Sequence, residues 1–316
     1  MCKVMIAAGV SNVENTIKFM HVMGDLMSTY NTDGLGYTAM TRTGKLFGKR
    51  WLNNDEAFTE GPKQHLVKAA SRFPGMIDSS DLIEPISSEY GNTDWDNVTS
   101  VMLHTRMATS AKGLNNVHPF VTLDNKTALI HNGVIRNHTD FKLSLSTCDS
   151  EAILVSYLKN KVLADASNIQ LTADELEGYY ACGVMNTDNN TVDIFKRAAN
   201  LWYSYVEELG TYVFTTDGND IIKACESLGF TCEPPIEYKN DHFMRLDNVT
   251  GKMIKMYKLQ AKPVVQPQYD YYGGGKYGSW SGAKTYNTPT IFSKPKGKIH
   301  KMTAAEVQEY IMMSGE

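Results

Sequence analysis

The chain has 316 residues, enough to bury a substantial core in one large domain or two small ones. With 42% hydrophobic residues, 21% charged residues and a net charge of −4, its composition is that of a soluble globular protein and gives no sign of a nucleic-acid partner. No apolar run reaches the roughly 20 residues that a membrane span needs, and we expect no signal peptide because the short apolar stretch after Met1 ends in polar residues.

The cysteines, five in all, are odd in number, widely spaced and without a Cys-x-x-Cys pair. This usage is typical of a reducing compartment and argues against a disulfide framework or a thiolate zinc site. The histidines also lack the spacing of a metal site. We therefore expect a cytoplasmic protein that holds no metal and no other cofactor.

The N-terminal part of the chain alternates between strand and helix signals. Residues 3–8 predict a short buried strand, and residues 12–28 predict a helix because apolar side chains recur near helical spacing. Two strand-like runs within 37–51, joined by a Thr-Gly turn, predict a hairpin. Residues 53–96 are polar, are interrupted by prolines and predict no long element.

The rest of the chain up to residue 260 is mostly strand-like. Further strands are predicted at 98–104, 126–131, 179–186, 191–197, 201–206 and 211–216, with a helix at 149–161. A second helix follows the last of these strands, with Thr216 or Asp217 as its cap. Residues 242–259 predict a hairpin around an Asn-Val-Thr-Gly turn.

The composition changes at residue 260. From there to about residue 298 the chain consists largely of Gly, Tyr, Pro, Lys and Ser, and Thr303 and Glu306 then have the spacing of a helix capping box. We predict one domain over 1–260, followed by a flexible Gly/Tyr-rich tail over 261–316 with a short terminal helix. The tail is either a docking peptide for a partner or a solvated segment without function.

Cys2 directly follows the initiator methionine. A small side chain at this position permits removal of Met1, which would place a thiol and a free α-amine on one residue. An α-amine titrates near ~8, so it can accept the thiol proton and activate the sulfur as a nucleophile. The alternative reading is that Cys2 is a small buried hydrophobic residue.

Four further segments stand out: DGLG at 33–36, HTRMAT at 104–109 with NVHPF at 116–120, HNGVIRN at 131–137 and CDSEA at 148–152. With Met-Cys at the start, and in this order, they resemble the motifs of class II glutamine amidotransferases, the N-terminal-nucleophile hydrolases that release ammonia from glutamine. The later segments GYYACGVMN, KRAANLW and GTYVFTTDG also resemble that family, so the resemblance covers about residues 2–260. It implies an α+β fold, the four-layer αββα sandwich, with the cysteine at the end of a central strand.

The resemblance also implies a role for each motif in hydrolysing the side-chain amide of L-glutamine. Cys2 would attack the amide and form a γ-glutamyl thioester, while its own α-amine moves the proton. The side-chain amide of Asn132 and the backbone N–H of Gly133 would hold the oxyanion. Arg106 would clamp the α-carboxylate through paired hydrogen bonds, and Asp149 would take the α-ammonium group.

Three more residues are assigned to substrate binding on the same grounds. The loop with Thr109 and Ser110 would close over the bound substrate, and His131 lies beside the oxyanion residues in the sequence. His104 and His118 are interpreted as packing residues.

Ordinary structural readings exist for several of the motif residues. Arg106 could form a surface ion pair, His-Asn-Gly could form a β-turn, and Asp149 could cap a helix. The co-occurrence of the motifs in one order favours the functional reading.

The chain departs from the family pattern at three positions. Met107 stands where an aromatic residue is usual, and Ser110 stands where a histidine often follows Ala-Thr, so we expect a looser substrate lid. Lys3 replaces the glycine of the amidotransferases that synthesise sugars and nucleotides. DGLG, NVHPF and DSEA resemble stand-alone members, whereas HTRMAT and HNGVIRN resemble the glucosamine-6-phosphate synthase branch.

Too few residues follow position 260 to form a domain that uses ammonia. We therefore predict a glutamine amidotransferase that supplies ammonia to an acceptor or a synthase in trans. One alternative is a γ-glutamyl amidohydrolase that acts on a γ-glutamyl peptide or thiol. Another is a catalytically silent scaffold of the same fold that binds a partner.

Overall fold

Two antiparallel sheets, each with helices on its outer face, make up the described part of the protein. The computed structural model describes residues 2–29, 31, 33–52, 95–107, 113–122, 124–143, 146–160 and 167–260. These residues belong to one compact unit that ends at Lys262. The tail predicted over 261–316 and most of the polar stretch predicted over 53–96 lie outside the described residues, so the predicted domain boundary stays a prediction.

The described residues form thirteen strands and four α-helices. The strands are β1 (Lys3–Ala8), β2 (Gly34–Thr41), β3 (Leu46–Leu52), β4 (Val98–Arg106), β5 (Phe120–Val121), β6 (Thr127–Ile135), β7 (Gly178–Asn186), β8 (Thr191–Arg197), β9 (Trp202–Val206), β10 (Thr211–Thr215), β11 (Ile236–Glu237), β12 (His242–Asp247) and β13 (Met253–Lys258). The helices are α1 (Val13–Ser28), α2 (Ser150–Asn160), α3 (Ser167–Glu175) and α4 (Gly218–Leu228). None of these helices is long and apolar enough to cross a membrane.

The strands divide into a seven-stranded sheet and a six-stranded sheet. The first has the order β11–β9–β10–β1–β4–β2–β3, and the second has the order β13–β12–β8–β7–β6–β5. All the paired strands run antiparallel. The strand β1 is therefore central in the first sheet, between β10 and β4.

Side chains alternate between the two faces of each strand, so each sheet has one face that packs against helices and one that packs against the other sheet. Met5 and Ala7 of β1 belong to a buried cluster that includes side chains of α1 and α4, such as Phe19 and Ile221. A second buried cluster joins the outer face of the second sheet to α2 and α3. The order of layers is therefore helices, sheet, sheet, helices, which confirms the predicted four-layer αββα sandwich.

The inner faces of the two sheets meet at Gly183 of β7. A Cβ atom on this residue would lie 2.6 Å from Cδ1 of Ile6 and 3.0 Å from Sδ of Met102. Ile6 and Met102 are opposite each other in β1 and β4. The missing side chain of Gly183 therefore lets the second sheet approach the two central strands of the first.

The helix ends follow ordinary capping chemistry. Asn12 caps α1 by accepting a hydrogen bond from Asn15, and Asp217 caps α4 by accepting one from Asn219. Of the two predicted caps of α4, the structure selects Asp217. Gly229, with φ 67°, ends that helix in the left-handed conformation that glycine favours.

Two elements differ from their predictions. The strand predicted over 126–131 continues through the His-Asn-Gly motif to Ile135, because β6 stays paired with β7 until Ile135 reaches Gly178. The β-turn reading of that motif is therefore wrong. The sequence does not predict helix α3, because Ser, Asn, Gln, Thr and Asp make up much of that segment and its apolar face is short.

Candidate active site

Cys2 lies directly before β1, on the face that points towards the second sheet. Its orientation follows from alternation, since Val4 and Ile6 are opposite His104 and Met102 on that inner face. Lys3 is opposite Thr105, so Cys2 comes next to Arg106 at the end of β4. The alternation of a central strand therefore places the thiol and a guanidinium group side by side at one end of the sandwich.

The thiol of Cys2 contacts the backbone of Met107. The N–H of Met107 donates to Sγ at 3.4 Å, and Sγ lies 3.6 Å from the carbonyl oxygen of the same residue. Burial raises the pKa of the thiol, while the hydrogen bond from Met107 and the positive charge of Arg106 act in the opposite direction. Because the net change is upward, the thiol keeps its proton at neutral pH and needs a base to become a nucleophile.

Arg106 is the last residue of β4 and is only 3% exposed. It pairs with Gly34 of β2, and its carbonyl oxygen accepts a hydrogen bond from the N–H of Asp33 at 3.0 Å. The Asp-Gly-Leu-Gly motif thus lines the side of Arg106 away from Cys2. A Cβ atom at Gly36 would overlap the carbonyl oxygen of His118, so the second glycine allows the NVHPF segment to pack against β2.

Asn132 and Gly133 lie on β6, in the facing sheet. The side chain of Asn132 is 1% exposed and its Nδ2 atom lies 3.5 Å from Oγ1 of Thr216. Gly133 has φ 149°, and a Cβ atom there would overlap the carbonyl oxygen of Tyr179 and lie 2.8 Å from Nε2 of His131. The positive φ angle and the lack of room for a Cβ atom both require glycine at this position.

Asp149 immediately precedes helix α2. Its Oδ2 atom accepts a hydrogen bond from the N–H of Ile135 at 2.7 Å, which joins the start of the helix to the end of β6. Its negative charge raises the pKa of Cys2, although burial is the larger cause. Asp149, Arg106 and Cys2 are therefore near enough to one another for their charges to interact.

Three buried histidines fill the space behind this site. The ring centroids of His104 and His118 are 4.1 Å apart, and those of His118 and His131 are 6.3 Å apart. Burial lowers the pKa of His104 to about 3 and that of His131 to about 4, and it lowers the pKa of His118 well below its ordinary value. All three rings are therefore neutral at pH 7, as packing residues are. Among the residues that the structure describes, no three histidines, cysteines or acids are arranged to hold a metal ion.

His131 joins β6 to its neighbours on both sides. Its Nδ1 atom lies 2.7 Å from Oγ of Ser150 in α2, and its carbonyl oxygen lies 3.1 Å from Nε2 of His104. Its side chain points to the opposite face of β6 from that of Asn132, because adjacent residues alternate. These contacts suit a residue that supports Asn132 and Asp149, and direct contact with a substrate stays a prediction.

The charges of Arg106 and Asp149 act on Cys2, and Thr216 links Asn132 to Val4, two residues after Cys2. His131 and Gly133 flank Asn132 on β6, and His131 also interacts with Asp149, so these six predicted residues lie at the same end of the sandwich. Thr109 and Ser110 lie outside the described residues, and their predicted role stays a prediction.

Thr216 also belongs to this group of residues, although the sequence indicates only a possible helix cap at this position. Oγ1 of Thr216 accepts a hydrogen bond from the N–H of Val4 at 3.0 Å and lies beside the amide of Asn132. The only signal in the sequence was a hydroxyl residue directly before an Asp-Gly helix start.

The four layers, with Cys2 at the start of a central strand, form the αββα fold of N-terminal-nucleophile hydrolases. Two solved structures share this fold. The glutamine phosphoribosylpyrophosphate amidotransferase of B. subtilis, complexed with ADP and GMP, aligns with a TM-score of 0.51 and 16% identity. The allosteric regulatory enzyme of purine biosynthesis aligns with a TM-score of 0.53 and 15% identity. Each alignment covers 82% of this chain and 49% of the other.

The chain also has a local sequence similarity to a curated enzyme. The isomerizing glutamine–fructose-6-phosphate aminotransferase of Bacteroides thetaiotaomicron is 33% identical over 98 residues, which is 27% of this chain and 16% of that enzyme. No family model matches the chain. The chain therefore matches only a small part of this curated relative and about half of each solved chain, and those proteins' activities are a starting point for a proposal.

Proposed function

We propose that this protein is a glutamine amidotransferase that hydrolyses the side-chain amide of L-glutamine through Cys2 and supplies the ammonia to an acceptor or a synthase in trans. The observation that carries the proposal is the placement of Cys2 beside Arg106 on one sheet, with Asn132 and Gly133 on the facing sheet. A thiol, a guanidinium group and two hydrogen-bond donors at one end of a sandwich are the parts that acyl transfer from an amino-acid amide needs.

Removal of Met1 has to precede catalysis, because it frees the α-amine of Cys2. Because the pKa of the thiol is raised, the amine has to take the thiol proton before the sulfur attacks the side-chain carbonyl carbon of glutamine. The resulting oxyanion is held by the side-chain amide of Asn132 and the backbone N–H of Gly133. The tetrahedral intermediate then collapses, the C–N bond breaks, and the amine returns its proton to the leaving nitrogen, which departs as ammonia.

The second half of the reaction regenerates the thiol. Water, activated by the same α-amine, adds to the γ-glutamyl thioester, and the C–S bond breaks to release glutamate. Throughout both steps Arg106 binds the α-carboxylate and Asp149 binds the α-ammonium group. The pairing is chemically consistent because the positive and negative groups of the site complement those of the zwitterionic substrate. Thr109 and Ser110 would close the site.

One observation favours a second candidate, a γ-glutamyl amidohydrolase. Met107, whose backbone contacts the thiol, is 46% exposed, so the residue beside the nucleophile faces solvent. A γ-glutamyl peptide or thiol carries a larger leaving group than ammonia and needs such an open rim. The two candidates share every residue that binds the glutamyl half and differ only in the leaving group.

Intact-mass measurement before and after treatment with 6-diazo-5-oxo-L-norleucine, a glutamine analogue that alkylates such cysteines, tests the proposal. We expect loss of Met1 and one adduct, located on Cys2 by peptide mapping. Cys2→Ala should abolish both the adduct and the release of glutamate, whereas Cys232→Ala, a partly exposed cysteine outside the site, should change neither. Retained Met1 with no adduct would instead support the catalytically silent scaffold.

The same preparations distinguish the two enzymatic candidates. Glutamine and a set of γ-glutamyl dipeptides are compared by the rate of glutamate release at equal concentration. A higher kcat/KM for glutamine supports ammonia release. A preference for the dipeptides of ten-fold or more would assign the chain to the γ-glutamyl amidohydrolases.

A further inference from the structure

We propose that Thr216 is a positioning residue, which orients the amide of Asn132 so that its NH2 group faces the oxyanion. This inference rests on the proposed hydrolysis of glutamine. Thr216 follows strand β10, directly precedes the cap of α4 and is 8% exposed. It does not reach the proposed substrate groups itself, and it acts through Asn132.

The position of Thr216 is fixed relative to the nucleophile strand. Its N–H donates to the carbonyl oxygen of Val4 at 3.2 Å, and its Oγ1 atom accepts from the N–H of Val4 at 3.0 Å. Four residues further on, Asp220 forms an ion pair with Lys3 at 2.6 Å. The start of α4 therefore holds the two residues that follow Cys2, and Thr216 moves with the nucleophile.

The amide of Asn132 has one end next to Thr216 and one end without a partner. Its Nδ2 atom lies 3.5 Å from Oγ1 of Thr216, and its Oδ1 atom is buried with no hydrogen-bond partner in the described part of the chain. A threonine hydroxyl donates one hydrogen bond and accepts two. Because Oγ1 already accepts from Val4, its own hydrogen is available for the amide oxygen.

A rotation of the Asn132 amide by 180° gives both its oxygen and the hydroxyl hydrogen of Thr216 a hydrogen-bond partner. The two ends of the amide have nearly the same shape, so the rotation needs no repacking. Oδ1 then accepts the hydroxyl hydrogen of Thr216, which removes the buried unpaired acceptor, and Nδ2 becomes free to donate. In the other orientation the amide would present an oxygen, and hence a partial negative charge, to the developing oxyanion.

This role predicts an effect on the transition state rather than on substrate binding. The oxyanion forms only as the thiol attacks, so the orientation of Asn132 changes kcat and leaves KM nearly unchanged. Arg106 and Asp149, which would bind the amino-acid end of glutamine, lie on other elements, at the end of β4 and directly before α2.

A double-mutant cycle between Thr216 and Asn132 tests the inference. Thr216→Val keeps the shape and removes the hydroxyl, Thr216→Ser restores it, and Thr215→Val is the matched control, because Oγ1 of Thr215 is buried without a partner in the described residues. Kinetic constants for glutamine are measured for each of these variants, for Asn132→Ala, and for Thr216→Val combined with Asn132→Ala. Alkylation by iodoacetamide, which needs no oxyanion, reports whether the thiol itself is intact.

We expect Thr216→Val to lower kcat by roughly 10- to 100-fold and to change KM and the alkylation rate by less than about three-fold. Thr216→Ser and Thr215→Val should stay within about three-fold of the parent, and Thr216→Val should have almost no effect in the Asn132→Ala background. An equal loss in both backgrounds, or a serine variant as slow as the valine variant, would refute the assignment. A parent protein without glutaminase activity would refute the proposed function and this inference together, whereas an active parent with an unaffected valine variant refutes this inference alone.

Discussion

Lys3 and Asp220 form an ion pair that joins strand β1 to helix α4. Nζ of Lys3 lies 2.6 Å from Oδ2 of Asp220 and 3.8 Å from Oδ2 of Asp217. Asp220 is 4% exposed, and burial raises the pKa of its carboxyl group although Lys3 opposes the change. Lys3 therefore anchors the strand that follows Cys2 to helix α4.

Replacing Lys3 should lower the free energy of unfolding more than replacing Asp220. Lys3→Met leaves the Asp220 carboxylate buried without its partner, and we expect the free energy of unfolding to fall by roughly 2 to 4 kcal/mol. Asp220→Asn leaves a lysine that can reach solvent, so its cost should be smaller. Urea unfolding of both variants and of the double variant checks this order. Equal stability of Lys3→Met and the parent would show that the pair contributes nothing.

Arg106→Lys should raise KM for glutamine by at least about ten-fold, because an ammonium group cannot form the paired hydrogen bonds of a guanidinium group with a carboxylate. The effect on kcat should be smaller. Arg197→Lys is the matched control, since Arg197 is also buried but lies on β8 and bonds to Leu176. Steady-state kinetics with glutamine decide the point, and an unchanged KM in Arg106→Lys would place the carboxylate clamp elsewhere.

Asp25 of helix α1 should make the protein less stable as the pH rises. Burial raises the pKa of its carboxyl group to about 6, above the value of ~3.9 in an unfolded chain. The folded state therefore binds the proton more tightly, and this contribution is fully present below about pH 4 and is lost as the pH rises through 6. Asp25→Asn should thus be more stable than the parent at pH 7.5, by roughly 1 to 2 kcal/mol, and close to it at pH 4. Urea unfolding at the two pH values measures the difference, and a gap that does not grow with pH would contradict it.

The buried histidines should make the protein less stable as the pH falls, opposite to the effect of Asp25. Their pKa values are lowered by burial, so the unfolded state takes up protons first, and stability is lost as the pH falls from about 6.5 towards 4. Neither ring nitrogen of His118 has a hydrogen-bond partner among the described residues, and its ring packs 4.6 Å from that of Phe120. His118→Phe should therefore fold and should lose stability less steeply over this pH range. Thermal unfolding measured in steps from pH 7 to pH 4.5 tests it, and an unchanged slope would mean that His118 is protonated in the folded state.

The sequence was sufficient to predict the elements with a simple period and the motifs with a fixed order. Strand β1, helix α1 and the β12–β13 hairpin follow from the alternation of apolar residues and from turn chemistry. The assignment of Asn132 and Gly133 to one site with Cys2 came from the family resemblance. No spacing in the chain indicates that β6 lies across from β1, because the pairing of two sheets is a property of the whole sandwich.

The remaining features depend on contacts between distant residues. The sequence predicts a strand that ends at His131, whereas pairing with β7 keeps β6 extended through Gly133 to Ile135. Thr216 and the Lys3–Asp220 pair involve residues more than 200 positions apart, for which a single sequence carries no signal. Helix α3 is held by its packing against α2, and its own sequence predicts it poorly.

The geometry of the candidate site depends on Gly183, a residue in the interior between the two sheets. Cys2 precedes a strand of one sheet and Asn132 belongs to the other, so the distance between the proposed nucleophile and the proposed oxyanion donor depends on the spacing between the two sheets. That spacing depends on Ile6 and Met102 resting against a residue without a side chain. A change in the volume of any of these three residues would therefore alter the geometry of the proposed reaction. If the protein hydrolyses glutamine, selection for that activity would also act on interior side chains that do not contact the substrate.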